Sequence, residues 1–245
     1  MGEGYSPARL RWRGTRPGAP QIGGAGLKYQ ELDRIVTSRS TVAITAYPGP
    51  KPYFDPQFDC DAVKILPGEH YASDRDIVIV TTLGSCVSAC LWDETRKVGG
   101  MNHFMLPESG ASGYDLHGES GRYGVFAMEL LINQLIKMGA QKSRLKAKVF
   151  GAGNVLQSLT TSNVGERNAE FVTRFLATER IAILASDLLD VWPRKVYLFP
   201  VTGRVLVRKL KTLGNDTIAN RERVYRTQLA QVKAEKAAAD IELFV

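Results

Sequence analysis

The sequence predicts a mixed α/β domain, because short apolar runs rich in β-branched residues alternate along the chain with two amphipathic helical patterns. The order is several strands, a helix, a strand, a second helix and further strands, which is typical of neither a helical bundle nor an all-β sandwich. A chain of 245 residues is long enough to bury one sizeable core. Its hydrophobic fraction of 44% and charged fraction of 23% are ordinary for a soluble globular protein.

Short apolar runs bounded by glycine, proline or polar residues are predicted as β-strands. The predicted strands are 63–66, 77–80, 87–92, 98–106, 145–150, 181–185, 196–199 and 205–207. The run 87–92 is short enough that a helix is an alternative there. Residues 81–85 are predicted as a turn, and Thr202 with Gly203 predicts a hairpin between the last two strands.

Two segments carry the apolar period of an amphipathic helix. Met128, Leu131, Leu135 and Met138 recur at helical spacing, and Gly139 is expected to end that helix. The second helix is predicted over 166–178. Two further segments are predicted as loops: 109–123 is rich in glycine and serine, and 47–56 is broken by prolines.

The chain divides by composition into four parts. Residues 1–26, rich in glycine, proline and arginine, are predicted as a disordered basic arm. They are followed by an N-terminal extension over 27–62, a folded domain over 63–212 and a charged helical tail over 213–245. A loose helical stripe in the tail (Val224, Tyr225, Leu229 and Val232) leaves two interpretations open, a peripheral helix or a docking element.

The net charge of +7 allows a nucleic acid or anionic partner. The sequence does not favour nucleic acid as a partner, because the arginines of the arm lie among glycine and proline without an aromatic ladder or a recognition-helix pattern. The sequence has neither an apolar run long enough to cross a bilayer nor the apolar core of a secretory signal. We therefore expect a cytoplasmic protein without membrane insertion.

The three cysteines do not predict a disulfide framework, since their number is odd and no secretory signal precedes them. A buried thiol, a metal ligand or a nucleophile remain as interpretations. The histidines are too scattered to give a familiar zinc spacing, and no metal is expected. Cys90 lies inside an apolar run and is interpreted as a core thiol, whereas the aspartates that flank Cys60 make it a poor thiolate.

Cys86 is the candidate nucleophile. It follows Gly84 and Ser85 in a predicted turn, where free backbone N–H groups favour a thiolate and stabilise an oxyanion. On position alone, a small buried hydrophobic residue is the better interpretation. His103 lies in an otherwise apolar strand, and a hairpin through residues 93–97 would place it beside Cys86 as a base.

Other polar residues near these two are candidates for supporting roles. Thr81 and Thr82 precede the predicted turn and offer hydroxyl acceptors for the histidine. The segment Gly151-Ala152-Gly153-Asn154 follows a strand but lacks the fingerprints of nucleotide loops. We interpret it as a close-approach turn that lines a pocket.

Several motifs, taken together and in order, resemble the chemoreceptor glutamine deamidase family, CheD. They are Leu66-Pro67-Gly68-Glu69, Leu83-Gly84-Ser85-Cys86-Val87-Ser88-Ala89-Cys90, Gly99-Gly100-Met101-Asn102-His103-Phe104-Met105-Leu106-Pro107, Arg122-Tyr123-Gly124, Lys148-Val149-Phe150-Gly151, Asn163-Val164-Gly165-Glu166-Arg167-Asn168 and Thr202-Gly203-Arg204-Val205-Leu206-Val207. The resemblance spans roughly residues 63–210. Because the cysteine and histidine motifs occur together, a nucleophile becomes a better interpretation of Cys86 than a buried hydrophobic residue.

The resemblance implies a mixed β-sandwich flanked by helices, related to bacterial toxin deamidases. It also implies a Cys–His–Thr triad in which Cys86 and His103 carry over directly. In some family members the threonine lies six residues before the cysteine, where this chain has Val80, so Thr81 and Thr82 are both candidates. The oxyanion site falls on Gly84 and Ser85. The candidates for lining the substrate pocket are Asn102, Gly151, Gly153 and Asn154.

The resemblance further implies a protein-glutamine deamidase that acts on chemoreceptors in bacterial chemotaxis without a metal or organic cofactor. Expected partners are the cytoplasmic helices of chemoreceptors and a CheC-like phosphatase, and recruitment to receptor arrays is expected with them. Transglutamination or peptide cleavage by the same thiol is one alternative, and a non-catalytic chemotaxis adaptor is another. Nucleic acid binding through the basic arm is a third.

Overall fold

A computed structural model describes residues 50–107, 119–154, 164–211 and 216–241 of the chain. The predicted arm over 1–26 and most of the predicted extension over 27–62 lie outside these residues. The described part contains ten strands in two five-stranded sheets and three α-helices. The strands are β1 Pro52–Asp55, β2 Cys60–Lys64, β3 His70–Ser73, β4 Val78–Leu83, β5 Val87–Asp93, β6 Val98–Asn102, β7 Lys146–Gly151, β8 Ala182–Leu188, β9 Arg194–Phe199 and β10 Arg204–Lys209.

The chain passes between the two sheets four times, after β2, β3, β4 and β8. The first sheet has the order β1-β2-β4-β9-β10 and the second the order β3-β6-β5-β7-β8. Each sheet contains one parallel pair, β2 with β4 and β7 with β8, among antiparallel neighbours. The polypeptide passes from the first sheet to the second between β4 and β5, and this crossing carries the candidate nucleophile.

The helices are α1 Glu119–Lys137, α2 Val164–Thr178 and α3 Asp216–Ile241, and a short 3-10 turn spans Lys142–Arg144. Gly139 follows α1 with a φ of +94°, as predicted for the residue that ends this helix. The apolar stripe of α1, including Met128, Leu131 and Leu135, packs on the second sheet together with α2.

The core has two main layers. One fills the space between the second sheet and helices α1 and α2. The other lies between the two sheets and includes Ile79 and Leu83 from β4 and Cys90 from β5. The predicted α/β class and the β-sandwich flanked by helices are therefore confirmed.

The structure corrects the predicted limits of several elements. Strand β4 continues through Thr81 and Thr82 to Leu83, so the turn begins only at Gly84. Strand β6 ends at Asn102, earlier than predicted, although Phe104 still pairs with Val87.

Two segments predicted as loops contain regular structure. Part of the predicted 47–56 loop is strand β1, which lies at the edge of its sheet and tolerates Pro52 as its first residue. Helix α1 begins at Glu119, inside the predicted 109–123 loop. No helix of the described residues is both long and apolar enough to cross a membrane.

The α1 layer gives a direct stability test. We expect Leu135→Ala to lower the free energy of unfolding by about 2–5 kcal/mol, because Leu135 is fully buried against the second sheet. Ile136→Ala on the exposed side of the same helix is the control, and we expect it to cost less than about 1 kcal/mol. Urea unfolding measures both values. Equal losses for the two variants would contradict this packing of α1.

Candidate active site

The turn Gly84–Cys86 joins the last residue of β4 to the first residue of β5. Because it carries the candidate nucleophile, it is called the nucleophile turn. Cys86 is fully buried and directly precedes β5. The turn therefore presents three consecutive backbone N–H groups, from Gly84, Ser85 and Cys86, that do not take part in either sheet.

The segment after β7 supports this turn from behind. Ala152 N donates to Cys86 O over 2.6 Å, and Gly153 N donates to Gly84 O over 2.7 Å. A side chain at Gly151 would collide with the Cys86 carbonyl oxygen, so this position requires glycine. Ala152 has a φ of +57°, a left-handed conformation that glycine favours.

These contacts give the segment that was predicted to line a pocket a role in positioning the turn. Gly151 and Gly153 are buried behind the nucleophile turn, and the N–H groups of Ala152 and Gly153 hold its carbonyl groups. Asn154 is exposed, and its backbone N–H donates to Asp190 O over 2.7 Å. The segment therefore positions the turn.

Asn168 of α2 is a second support that sequence reasoning missed. Its Nδ2 donates to Ser85 O over 2.8 Å, and its Oδ1 accepts from Leu106 N over 2.9 Å. The side chain is fully buried and ties the nucleophile turn to the segment that follows His103. A signal was present in the sequence, since Asn168 lies three and four residues before Phe171 and Val172 on the apolar face of the predicted helix.

His103 is oriented by Thr81. Thr81 Oγ1 donates to Ile65 O over 2.9 Å, and it lies 2.7 Å from His103 Nδ1. Because the threonine proton is used on the Ile65 carbonyl, the hydroxyl oxygen accepts from an Nδ1–H. This tautomer leaves the lone pair on Nε2, the nitrogen that a general base needs.

Thr81 and Thr82 are separated by the alternation of β4. Thr81 is fully buried on the face that packs between the sheets, with Ile79 and Leu83. Thr82 is half-buried on the opposite face. The prediction of Thr82 as a partner for the histidine is therefore wrong, and Thr81 takes that position.

Cys86 and His103 lie on one face of the second sheet. Val87 pairs with Phe104 and Cys90 with Met101, a register that makes Cys86 and His103 diagonal neighbours across the two strands. His103 Nε2 is buried and has no hydrogen-bond partner among the described residues. Buried polar atoms are seldom left without a partner, so this nitrogen is a candidate for chemistry.

Asn102 is adjacent in sequence but serves another role. Its Oδ1 accepts from Ala89 N over 2.9 Å, and its Nδ2 donates to Ala127 O of α1 over 3.2 Å. The side chain therefore joins β5 and β6 to α1, on the other side of the sheet from His103. Its predicted place in a substrate pocket is wrong, because successive residues of a strand point to opposite faces.

The other cysteines lie in different environments. Cys90 belongs to the layer between the sheets, and burial raises the pKa of its thiol to about 12. Cys60 lies on β2, where burial and then the carboxylates of Asp76 and Asp55 raise its pKa. Neither thiol is close to the thiolate form at neutral pH. Cys90 is a core thiol, as predicted.

The most unexpected member of the site is Glu222 of α3, whose carboxylate lies against the nucleophile turn. Its Oε1 accepts from Gly84 N over 3.0 Å and from Cys86 N over 3.1 Å. Its Oε2 accepts from Ser85 N over 3.0 Å and from Ser85 Oγ over 2.7 Å. Its γ-carboxylate stands in the position of a substrate oxyanion or of a product carboxylate.

The apolar stripe predicted for the tail does not coincide with the buried face of α3. Val224 is exposed, whereas Ile218 and Glu222 are buried and Tyr225 is half-buried. These three lie at helical spacing on one face, and an acidic residue within that face concealed it from a search for apolar residues.

The charge state of the site follows from this burial. Burial, with a contribution from the charge of Arg221, lowers the pKa of His103 to about 3, so the imidazole is neutral. Burial and then the nearby Glu222 carboxylate raise the pKa of Cys86 above its usual value. The site as it stands therefore holds a protonated thiol and a neutral imidazole.

A family model described as CheD chemotactic sensory transduction matches residues 105–209. A Shewanella oneidensis protein named "Probable chemoreceptor glutamine deamidase CheD 1" is 54% identical over 195 residues, which cover 80% of this chain and 93% of that protein. The chain belongs to the CheD family. A second CheD relative, from Methylobacillus flagellatus, is 55% identical over 193 residues, or 78% of this chain and 94% of that protein.

The solved structures that match this chain resemble it only weakly. The Bacillus licheniformis hypothetical protein YfiH is 13% identical, with a TM-score of 0.32 over 50% of this chain and 51% of that chain. That likeness is too low to bear on the fold or function of a CheD protein.

The neutral His103 has a measurable consequence for stability. The unfolded-state pKa of histidine is about 6.5 and the folded value is about 3, so between these pH values only the unfolded chain binds the proton. The contribution of the neutral imidazole to the free energy of unfolding is therefore complete above about pH 6.5. It is lost as pH falls, by about 2 kcal/mol between pH 7 and pH 5. We expect wild-type unfolding free energy to show this loss and His103→Asn to lack it. Identical pH dependence in the two proteins would contradict a buried neutral imidazole.

Proposed function

We propose that this protein hydrolyses the side-chain amide of glutamine residues on chemoreceptors to glutamate and ammonia, with Cys86 as nucleophile and His103 as base. One observation carries the proposal. The N–H groups of Gly84, Ser85 and Cys86 converge on one carboxylate beside a cysteine and an oriented histidine. Its CheD relatives, at 54% and 55% identity, are named as glutamine deamidases.

The first half of the reaction forms a thioester. His103 Nε2 takes the thiol proton, and Cys86 Sγ attacks Cδ of the glutamine as the carbonyl π electrons move onto oxygen. The backbone N–H groups of Gly84 and Cys86 hold that oxyanion, in the place where Glu222 Oε1 now lies. The tetrahedral intermediate collapses with cleavage of the C–N bond, and the imidazolium donates its proton to the departing nitrogen, which leaves as ammonia.

The second half consumes one water molecule. His103 Nε2 removes a proton from water as the oxygen attacks the thioester carbonyl, and the same N–H groups again hold the oxyanion. Cleavage of the C–S bond returns the proton to sulfur and releases a glutamate side chain. Thr81 supports both halves by holding Nδ1, which keeps Nε2 directed as acceptor and donor.

The substrate surface in this proposal is the helical cytoplasmic part of a chemoreceptor. Each conversion adds a negative charge to that surface and so changes the relative free energies of the receptor's signalling states. A CheC-like phosphatase is proposed as a further partner, with the protein working in the cytoplasm at receptor arrays.

The nucleophile is tested by mass spectrometry of a purified chemoreceptor cytoplasmic fragment. We expect wild-type protein to convert specific glutamines to glutamates and Cys86→Ala to lower the rate by about 10⁴-fold or more, since the thioester cannot form. Cys90→Ala is the matched control, because it removes the other fully buried thiol of β5 and its neighbouring turn, and we expect it to keep conversion.

The outcomes separate the alternatives. Conversion by Cys86→Ala at the wild-type rate would contradict the nucleophile. Receptor binding without conversion by any of the three proteins would favour the non-catalytic adaptor.

A further inference from the structure

The oxyanion donors of the proposed site are occupied by a residue of the chain itself. Four donors surround the Glu222 carboxylate, three from the backbone and one from the Ser85 hydroxyl. These donors lie 136 to 138 positions before Glu222 in the sequence. A single side chain from a distant helix therefore occupies all the donors of the nucleophile turn.

The donors of the turn satisfy both oxygens of this carboxylate. A buried carboxylate is costly unless hydrogen bonds satisfy both oxygens, and here each oxygen accepts two. A carboxylate is also the group that glutamine deamidation produces. Glu222 therefore presents to the turn the functional group of a reaction product, carried on an α-helix as a receptor glutamate would be.

The nucleophile responds to this occupancy. The Cys86 backbone N–H donates to Glu222 Oε1 over 3.1 Å, while His103 Nε2 has no partner among the described residues. The carboxylate occupies the place that the substrate carbonyl oxygen needs, and burial and then its negative charge raise the pKa of the Cys86 thiol. The contact is therefore incompatible with the first step of the reaction.

Further contacts hold α3 in place around Glu222. The hydroxyl groups of Tyr225 and Tyr123 of α1 form a hydrogen bond, and the Tyr225 ring packs against Gly68. Ile218, one turn before Glu222, is buried. The helix thus fits a cleft formed by α1, the segment before β3 and the nucleophile turn, with one side chain reaching its base.

We propose that α3 is an intramolecular pseudo-product: it occupies the cleft in which a substrate helix binds, and it must leave that cleft before a receptor glutamine can reach Cys86. The inference rests on the proposed deamidase function and specifies its substrate as a glutamine on an intact helix. A glutamine in the middle of a helix reaches the donors without unfolding, because Glu222 does so six residues into α3.

A glutamine in place of Glu222 would behave differently. Its carbonyl oxygen fits the Gly84 and Cys86 donors, but its amide nitrogen cannot accept from Ser85 N–H. It is thereby placed as a substrate: Cys86 Sγ adds to Cδ, the C–N bond breaks with release of ammonia, and water cleaves the thioester to restore glutamate. The chain would deamidate itself at position 222.

The experiment uses full-length protein and two readouts. The first is the rate at which iodoacetamide alkylates Cys86, mapped by peptide mass spectrometry. We expect Glu222→Ala to raise this rate by about tenfold or more over wild type, because opening the site and removing the carboxylate each lower the thiol pKa, and one pKa unit is tenfold in thiolate. Glu170→Ala, an exposed helical glutamate paired with Arg174, is the matched control and should alkylate at the wild-type rate.

The second readout is the residue found at position 222 of the purified Glu222→Gln protein. We expect glutamate there, formed by the chain's own activity, and an unchanged glutamine when Cys86→Ala is added. Glu170→Gln should retain its glutamine in both backgrounds.

The outcomes are distinguishable from those of the proposed function. Equal alkylation of wild type and Glu222→Ala, or a glutamine at 222 that persists in a protein able to deamidate receptors, would overturn the pseudo-product. Faster alkylation of Glu222→Ala together with Cys86-dependent conversion at 222 would support it even if no receptor fragment were modified, and in that case the receptor substrate alone would fail.

Discussion

The site depends on one constraint, the conformation of the turn in which the chain leaves the first sheet and enters the second. Gly84, Ser85 and Cys86 lie between β4 and β5, so their N–H groups are free of both ladders and point to a common place. Such a turn is unstable alone because its carbonyl groups also lack strand partners. The backbone after β7 and the Asn168 side chain donate hydrogen bonds to those carbonyl groups. These two elements therefore hold the three donors in place.

A cluster of converging N–H donors binds any negative charge of similar shape. The tetrahedral intermediate, the glutamate product and an internal carboxylate all satisfy it, and only the substrate amide is neutral. Occupancy by Glu222 therefore follows from the same electrostatics that would serve catalysis. Control of such a site depends on which group reaches it, and α3 places a competing group on the chain itself.

Sequence periodicity predicted much of the fold, and short motifs predicted part of the site. Strand β5 and the end of α1 at Gly139 follow from local patterns. The roles predicted for Cys86 and His103 rest on the resemblance of their paired motifs to a known family, because position alone favoured a buried hydrophobic residue at Cys86. The choice between the two threonines did not follow, because it depends on how far β4 continues, and element ends are weakly encoded. Thr81 is selected by the alternation of a strand that extends to Leu83.

The long-range members of the site were not predictable in the same way. Asn168 contacts residues 62 and 83 positions away, and Glu222 contacts residues at least 136 positions away. A single sequence carries no signal of such pairing. The buried face of α3 was further concealed because its central residue is charged, and hydrophobic periodicity assigns a charged residue to solvent.

The N–H groups of Gly84, Ser85 and Cys86 form one anion site, and the Glu222 carboxylate occupies it. The most direct test is amide hydrogen exchange at these three positions, followed by NMR in Cys86→Ala with and without Glu222→Gln. We expect slow exchange when the carboxylate is present and faster exchange at Ser85 above all when an amide replaces it, with amides of β5 unchanged. Equal exchange at the three residues in Cys86→Ala with and without the Glu222 substitution would contradict it.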